Sequence, residues 1–222
     1  MTDLLPSVIV ETSSQPDAAI IWLHGLGSDG HDFESLVPAL SLSSDLGVRF
    51  VFPHAPKRPV TINGGMAMRA WYDIYEMTLD RKVDMANIDE SYEQVEALIE
   101  DQINKGISAS RIILAGFSQG GVIAYQAALR TKHTLAGVLA LSTYLVKGDK
   151  VPEAADCVNG NTPILIHHGL QDPVVVPALG IQARDLLVSK GFSVSYQSYE
   201  MPHSVCPEQV QDISVWLNGR LA

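Results

Sequence analysis

An α/β fold with a mostly parallel central sheet is what this chain predicts, and two observations predict it. Short apolar runs alternate along the sequence with segments that repeat apolar residues at helical spacing. One of those runs, Arg111-Ile112-Ile113-Leu114-Ala115, breaks off into Gly116-Phe117-Ser118-Gln119-Gly120, and an alanine-rich stretch without proline follows. A strand that stops where a helix starts is a junction of parallel sheets, whose faces are both covered by helices.

The first elements are strands at Val8-Ile9-Val10 and Ala18 to Leu23, parted by the turn cluster Ser13-Ser14-Gln15-Pro16-Asp17. The second runs into the glycine-rich loop His24-Gly25-Leu26-Gly27-Ser28-Asp29-Gly30. Phe33, Leu36, Val37 and Leu40 then mark a helix that Pro38 shortens or bends. Val48 to Phe52 is a third strand, closed by Pro53 and Pro56. From His54 to about Asn87 no period holds, and a long irregular loop is expected. Its apolar residues, Met66, Met68, Trp71, Tyr75 and Met77, argue for packing over disorder.

Asn87 with Glu90 reads as a capping box, after which Ile88, Tyr92, Val95, Ile99 and Ile103 recur at helical spacing up to Gly106. Strands follow at Arg111 to Ala115, Leu135 to Leu141, Pro163 to His167 and Ser193 to Tyr199. Helices are expected from Val122 to Leu129, Ala178 to Lys190 and Val205 to Leu217. No internal repeat, low-complexity tract or linker divides the 222 residues, so one domain, 1–222, is expected.

A formal net charge of −10 argues against nucleic acid and anionic membrane surfaces, which select basic stripes. The first basic residue is Arg49, and no apolar run approaches the length of a membrane span, so a cytoplasmic protein is expected. Cys157 and Cys206 are expected to be unpaired, and no zinc spacing is present.

The G-x-S-x-G pattern gains meaning where the turn after a strand pushes the serine hydroxyl out above a sheet. With 17 glycines among 222 residues, chance alone supplies about 0.1 matches in such a chain. Partners must decide. A serine hydroxyl needs an imidazole to take its proton and a carboxylate to orient the imidazole, in the order Ser, Asp or Glu, His. His133 lies turns away along the same helix, and His167 and His168 lack well-placed acids before them. Asp149, Glu153 and Asp156 fall in an irregular polar segment. Asp172 and His203 each follow a strand and precede a helix, where parallel sheets carry their ligands. Ser118, Asp172 and His203 are therefore the candidate triad, against a turn aspartate and a surface histidine as the ordinary readings of the last two. Backbone N–H groups of Gln119 and Leu26 are the candidate oxyanion donors. The Leu26 loop also matches the glycine spacing of a phosphate cradle, but the next strand ends in Pro53-His54, with no acid for a ribose.

Leu23-His24-Gly25-Leu26-Gly27, Pro53-His54-Ala55-Pro56, Trp71-Tyr72-Asp73, Gly116 to Gly121, His168-Gly169 with Asp172-Pro173-Val174-Val175, and His203 together resemble the carboxylesterase and acyl-protein thioesterase family, also called the phospholipase/carboxylesterase family. The resemblance spans nearly the whole chain. It implies a single α/β-hydrolase domain without a separate cap, hydrolysis of carboxylic esters or acyl thioesters, and no cofactor or metal. Ser118 is then nucleophile, His203 base, Asp172 its orienter, and Leu26 and Gln119 the oxyanion donors. Trp71, Tyr75, Met66 and Leu170 are the candidate substrate-contacting residues, and the partner is a small-molecule or acylated substrate. Family members are often dimers, which makes a homodimer the candidate assembly. The rivals are a non-catalytic module of the same fold that binds an acyl ligand or a protein, and a peptidase of that fold.

Overall fold

The computed structural model describes residues 4–77, 81–146 and 148–222, and the side chain of Asp149 also lies outside the description. Three strands open the chain, β1 (Ser7–Glu11), β2 (Ala18–Leu23) and β3 (Val48–Pro53). A hairpin of β4 (Lys57–Val60) and β5 (Met66–Arg69) comes next, then helix α1 (Met85–Asn104). The second half alternates: β6 (Ile112–Phe117), α2 (Gln119–Arg130), β7 (Gly137–Leu141), β8 (Ile164–Gly169), α3 (Pro177–Ser189), β9 (Val194–Tyr199) and α4 (Pro207–Leu221).

Seven strands form the main sheet in the order β1-β3-β2-β6-β7-β8-β9. Only β1 runs antiparallel, against β3 at the edge; the other neighbours are parallel. The expected α/β-hydrolase architecture is thus present, with helices on both faces. β2 displays the reason. All six of its residues are buried, and alternate side chains feed opposite layers. Ala19, Ile21 and Leu23 belong to the core layer that holds Val95 and Ile99 of α1, Val122 and Ile123 of α2 and, farther along the sheet, Leu187 of α3. Ala18, Ile20 and Trp22 pack with Phe33, Phe50, Phe52 and the α4 residues Ile213 and Leu217. Each fully buried large side chain of this kind contributes about 1.5–3 kcal/mol.

Three local expectations change. The segment around Pro38 is a 3-10 helix, Glu34–Leu40, because proline offers no N–H to an α-helical ladder. The cap of α1 is Asp84, whose carboxylate accepts the Asn87 N–H at 3.1 Å; Glu90 turns outward to Arg58 at 3.2 Å, so no capping box forms at Asn87. Within the stretch expected to be irregular, residues 57–69 form the β4–β5 hairpin, with positions 78–80 outside the described residues. Four-residue strands carrying Pro59 at an edge show no readable alternation, and Gly64 and Gly65, both at positive φ, make the turn.

Candidate active site

The strand β6 ends at Phe117, and Ser118 sits at the junction with φ 53° and ψ −117°, a conformation rare for any residue with a Cβ. Such backbone costs about 1–3 kcal/mol and persists only where the surroundings impose it. Here they do. A Cβ on Gly116 would lie 2.4 Å from the Gly120 carbonyl oxygen, and one on Gly120 would lie 2.4 Å from that of Leu23. From the other side, the Ser118 N–H donates to the Leu141 carbonyl at 2.9 Å and the Thr143 hydroxyl donates to the Ser118 carbonyl at 2.7 Å. The serine is thereby clamped between the ends of β2 and β7, above the carboxyl edge of the sheet.

Asp172 and His203 leave the ends of β8 and β9. Their two loops are bound together, Leu170 N–H to the Tyr199 carbonyl at 2.8 Å and Gln171 N–H to the Met201 carbonyl at 3.1 Å. Gly169 permits this approach, since a Cβ there would meet the Met201 and Pro202 carbonyl oxygens at 2.4 and 2.5 Å. The outcome is a 2.6 Å hydrogen bond between His203 Nδ1 and Asp172 Oδ2. The other carboxylate oxygen accepts the N–H groups of Val174 and Val175, both at 2.9 Å. Burial of Asp172 pushes its pKa up, but the His203 ring and those two N–H groups outweigh burial and hold it below the usual carboxylate value. An ionised Asp172 makes Nδ1 of His203 the protonated nitrogen and leaves Nε2 free to accept.

The Phe117 ring packs on the His203 ring at 4.7 Å between centroids, which brings the imidazole beside the residue preceding Ser118. The Ser118 hydroxyl makes no hydrogen bond among the described residues. Catalytic hydrogen bonds often tighten only once substrate is bound. His167 and His168, the other histidines at this edge, are 1% and 0% exposed. Burial lowers the pKa of both, that of His167 to about 4, and the His168 Nε2–H is committed to the Val175 carbonyl at 2.7 Å.

The Leu26 loop lies against the serine: a Cβ on Gly25 would be 3.6 Å from that of Ser118. Among the described residues no acceptor takes the Leu26 N–H, while the neighbouring Gly27 N–H bonds to the Arg69 carbonyl of β5 at 2.9 Å. Gln119 is the first residue of α2, so its N–H has no partner within the helix either, and it stands at the positive end of the helix dipole. Both candidate donors are free.

Four side chains support the site in ways that motif reading does not reveal. The Gln119 side chain clasps the backbone of Trp71 and Tyr72, accepting from Trp71 N–H and donating to the Tyr72 carbonyl, each at 2.7 Å. His24 accepts the Ala55 N–H on Nε2 at 3.1 Å, so its Nδ1–H donates to the Gly25 carbonyl at 2.7 Å and fixes the loop. The Trp71 indole donates to the His24 carbonyl at 2.9 Å. Thr143 is the fourth. Of these, Gln119, His24 and Trp71 stood in motifs read from the sequence, but for other roles, Gln119 for its backbone rather than its amide; Thr143 carried no signal.

The candidate substrate-contacting residues divide. Trp71 is wholly buried in the core and offers no surface to a ligand, so it is a strut beneath the site and not its wall. Met66, Tyr75 and Leu170 are exposed, the first on β5 and the last in the loop before Asp172; Tyr75 lines a cavity with Tyr144. Cys157 and Cys206 are free thiols, as expected. Among the described residues one trio of acids and histidine comes together, Glu96, Glu100 and His133 between α1 and the end of α2. Lys132 and His133 already engage Glu100 there, at 3.0 and 2.9 Å.

The model of the phospholipase/carboxylesterase family matches residues 5–220. The chain belongs to that family. Acyl-protein thioesterase 1 of Neurospora crassa is 40% identical over 225 residues, which covers 97% of this chain and 92% of that protein. Its counterpart in Cryptococcus neoformans var. neoformans is 38% identical over 219 residues, 90% of this family member and 91% of the relative. The crystal structure of acyl-protein thioesterase 2 from Zea mays superposes with a TM-score of 0.84 at 27% identity, covering 98% of this chain and 99% of the maize one. No helix among the described residues of this family member is long and apolar enough to cross a membrane.

Proposed function

We propose that this hydrolase, a single α/β-hydrolase domain over residues 1–222, cleaves acyl esters and acyl thioesters through Ser118, His203 and Asp172. Ester or thioester hydrolysis is the activity of its family. One observation carries the residue roles: the 2.6 Å His203–Asp172 pair stands at the same sheet edge as a serine held in strained backbone. In this reading Ser118 Oγ attacks the acyl carbonyl carbon and its proton passes to His203 Nε2. The N–H groups of Leu26 and Gln119 hold the oxyanion. Collapse expels the alcohol or thiol, which takes the proton from His203; a water deprotonated by the same nitrogen then frees the acid from the acyl-enzyme. Asp172 stays ionised throughout and stabilises the imidazolium.

Acylated substrates, a cytoplasmic location and a homodimer belong to the same proposal, the first supported by the names of the relatives. Ser118→Ala is the test of the chemistry. Ester turnover falls by about 10⁴-fold or more while thermal unfolding stays cooperative, and a serine-directed fluorophosphonate labels the wild type at Ser118 alone. Turnover that survives in Ser118→Ala, or a wild type that takes no label, refutes the mechanism and favours a binding module.

A further inference from the structure

Beside the site lies a cavity of about 620 Å³. Met85, Val146, Leu179 and Leu186 give it apolar walls, and Arg81, Lys82 and Gln182 its polar groups; no carboxylate lines it among the described residues. Two contacts tie it to the catalytic edge. Tyr144 in its wall follows Thr143, whose hydroxyl holds the Ser118 carbonyl. Arg81 donates to the carbonyl of Val174 at 2.6 Å, and the Val174 N–H donates to Asp172 at 2.9 Å.

Arg81 is the anomaly. Its side chain is buried, at 8% exposure, yet it forms no ion pair among the described residues. Its guanidinium carbon lies 4.6 Å from the centroid of the Tyr144 ring, one N–H reaches the Val174 carbonyl, another the Met77 sulfur at 2.8 Å, and Nε has no partner among the described residues. Guanidinium carries five N–H donors; Val174 and Met77 take two and the Tyr144 hydroxyl also engages the group, which leaves donors for a further acceptor. A buried cation that no described carboxylate neutralises is unfavourable by several kcal/mol unless something else completes it. The neighbouring Lys82 does not compete, being exposed and paired with Glu76 at 2.7 Å. The room beside Arg81 is apolar and large enough for a chain with a charged end.

We infer that this cavity receives an anionic group of the substrate, a carboxylate or a phosphate bonded by Arg81, so that Arg81 sets specificity for negatively charged amphiphilic esters or thioesters. The inference rests on the reading of Ser118 as nucleophile. Planar guanidinium binds both anions through paired N–H groups, and the anion can sit on the acyl chain or on the leaving group, which charged and neutral substrates tell apart.

Two pairs of substrates do so. In the first, the anion lies on the acyl side: 4-nitrophenyl monoesters of ω-carboxy acids of four to ten carbons against their ω-methyl-ester counterparts. In the second it lies on the leaving group: 1-acylglycerol 3-phosphate against the uncharged 1-acylglycerol. Wild type favours the anionic member of one pair at least tenfold in kcat/KM. Arg81→Met lowers that anionic-to-neutral ratio at least tenfold, and Arg81→Lys, which keeps charge but not the fork, retains part of it. A ratio near one in both pairs overturns the inference, as does a wild-type preference that Arg81→Met leaves unchanged, since Arg81 then only braces the Val174 loop. A wild type silent on every ester removes the Ser118 reading and this inference with it, whereas turnover without preference removes this inference alone.

Discussion

Two glycine-bearing turns of this chain are held by opposite means. From Gly116 to Gly121 the chain is fixed from outside, because methyl groups added at 116, 120 or 121 would meet neighbouring atoms at 2.4–2.6 Å. At Gly64 and Gly65 in the β4–β5 turn, an added methyl would meet nothing within 4 Å, and only the positive φ angles of 67° and 76° call for glycine. The first turn has one available position; the second is free to vary around its hydrogen bonds. The nucleophile role proposed for Ser118 needs the former, since a misplacement of about 1 Å can cost about 100-fold in rate. A hairpin tied to the Leu26 loop by the Gly27–Arg69 bond can accept change in its exposed side chains.

The largest effect expected from breaking the rigid region chemically, without moving it, comes from Asp172→Asn. The amide oxygen can still accept the Val174 and Val175 N–H groups, so the loop keeps its shape. Its NH₂ then faces His203 Nδ1 as a donor, which reverses the tautomer and removes the charge that stabilises the imidazolium. We expect kcat to fall about 10⁴-fold, with a melting temperature close to wild type by circular dichroism. A kcat within tenfold of wild type would show that Asp172 does not orient the base.

Packing is broken next, by Gly120→Ala. The new methyl would press on the Leu23 and His24 carbonyl oxygens at 2.4 and 2.6 Å, both backbone atoms at the end of a fully buried strand. Neither can swing away. Overpacking of this kind costs about 1–3 kcal/mol and sometimes more; at the upper value the melting temperature of a domain this size drops by about 6–12 °C. Activity falls with it, because His24 leads into the Leu26 loop. A variant that melts within about 1 °C of wild type would mean that the crest yields, and that the strain at Ser118 is not imposed by its neighbours.

The same contrast accounts for what the sequence made legible. Strands such as Ala18–Leu23 and Ile112–Phe117 are apolar at every position because helices cover both faces, and that pattern is visible without coordinates. Ser118, Asp172 and His203 could be chosen because each follows such a run, and the chain order of the three limited the choice. The hairpin was invisible because β4 and β5 pair through backbone that any residue supplies. Trp71 was misjudged as wall for a related reason. An aromatic residue in an irregular stretch carries no period to reveal that Gln119 and His24, 48 and 47 residues away, draw it into the core. Arg81 was equally silent, since its burial against Tyr144 and Val174 depends on contacts across the fold.

The smallest effect sharpens the comparison from the flexible side. Gly64 sits at φ 67° and ψ 25°, the left-handed helical region, with open space where a Cβ would point. Alanine there loses only the backbone preference, about 1 kcal/mol, or a fall of about 2–4 °C in melting temperature. Asparagine tolerates this conformation better, so Gly64→Asn should lose less than Gly64→Ala, a ranking that steric crowding would not produce. Ester turnover should stay at the wild-type level in both, since neither the Gly27–Arg69 bond nor the Leu26 N–H is touched. If Gly64→Ala costs as much stability as Gly120→Ala, or lowers kcat with it, the hairpin is as tightly determined as the nucleophile turn, and the division between a fixed crest and a variable hairpin fails.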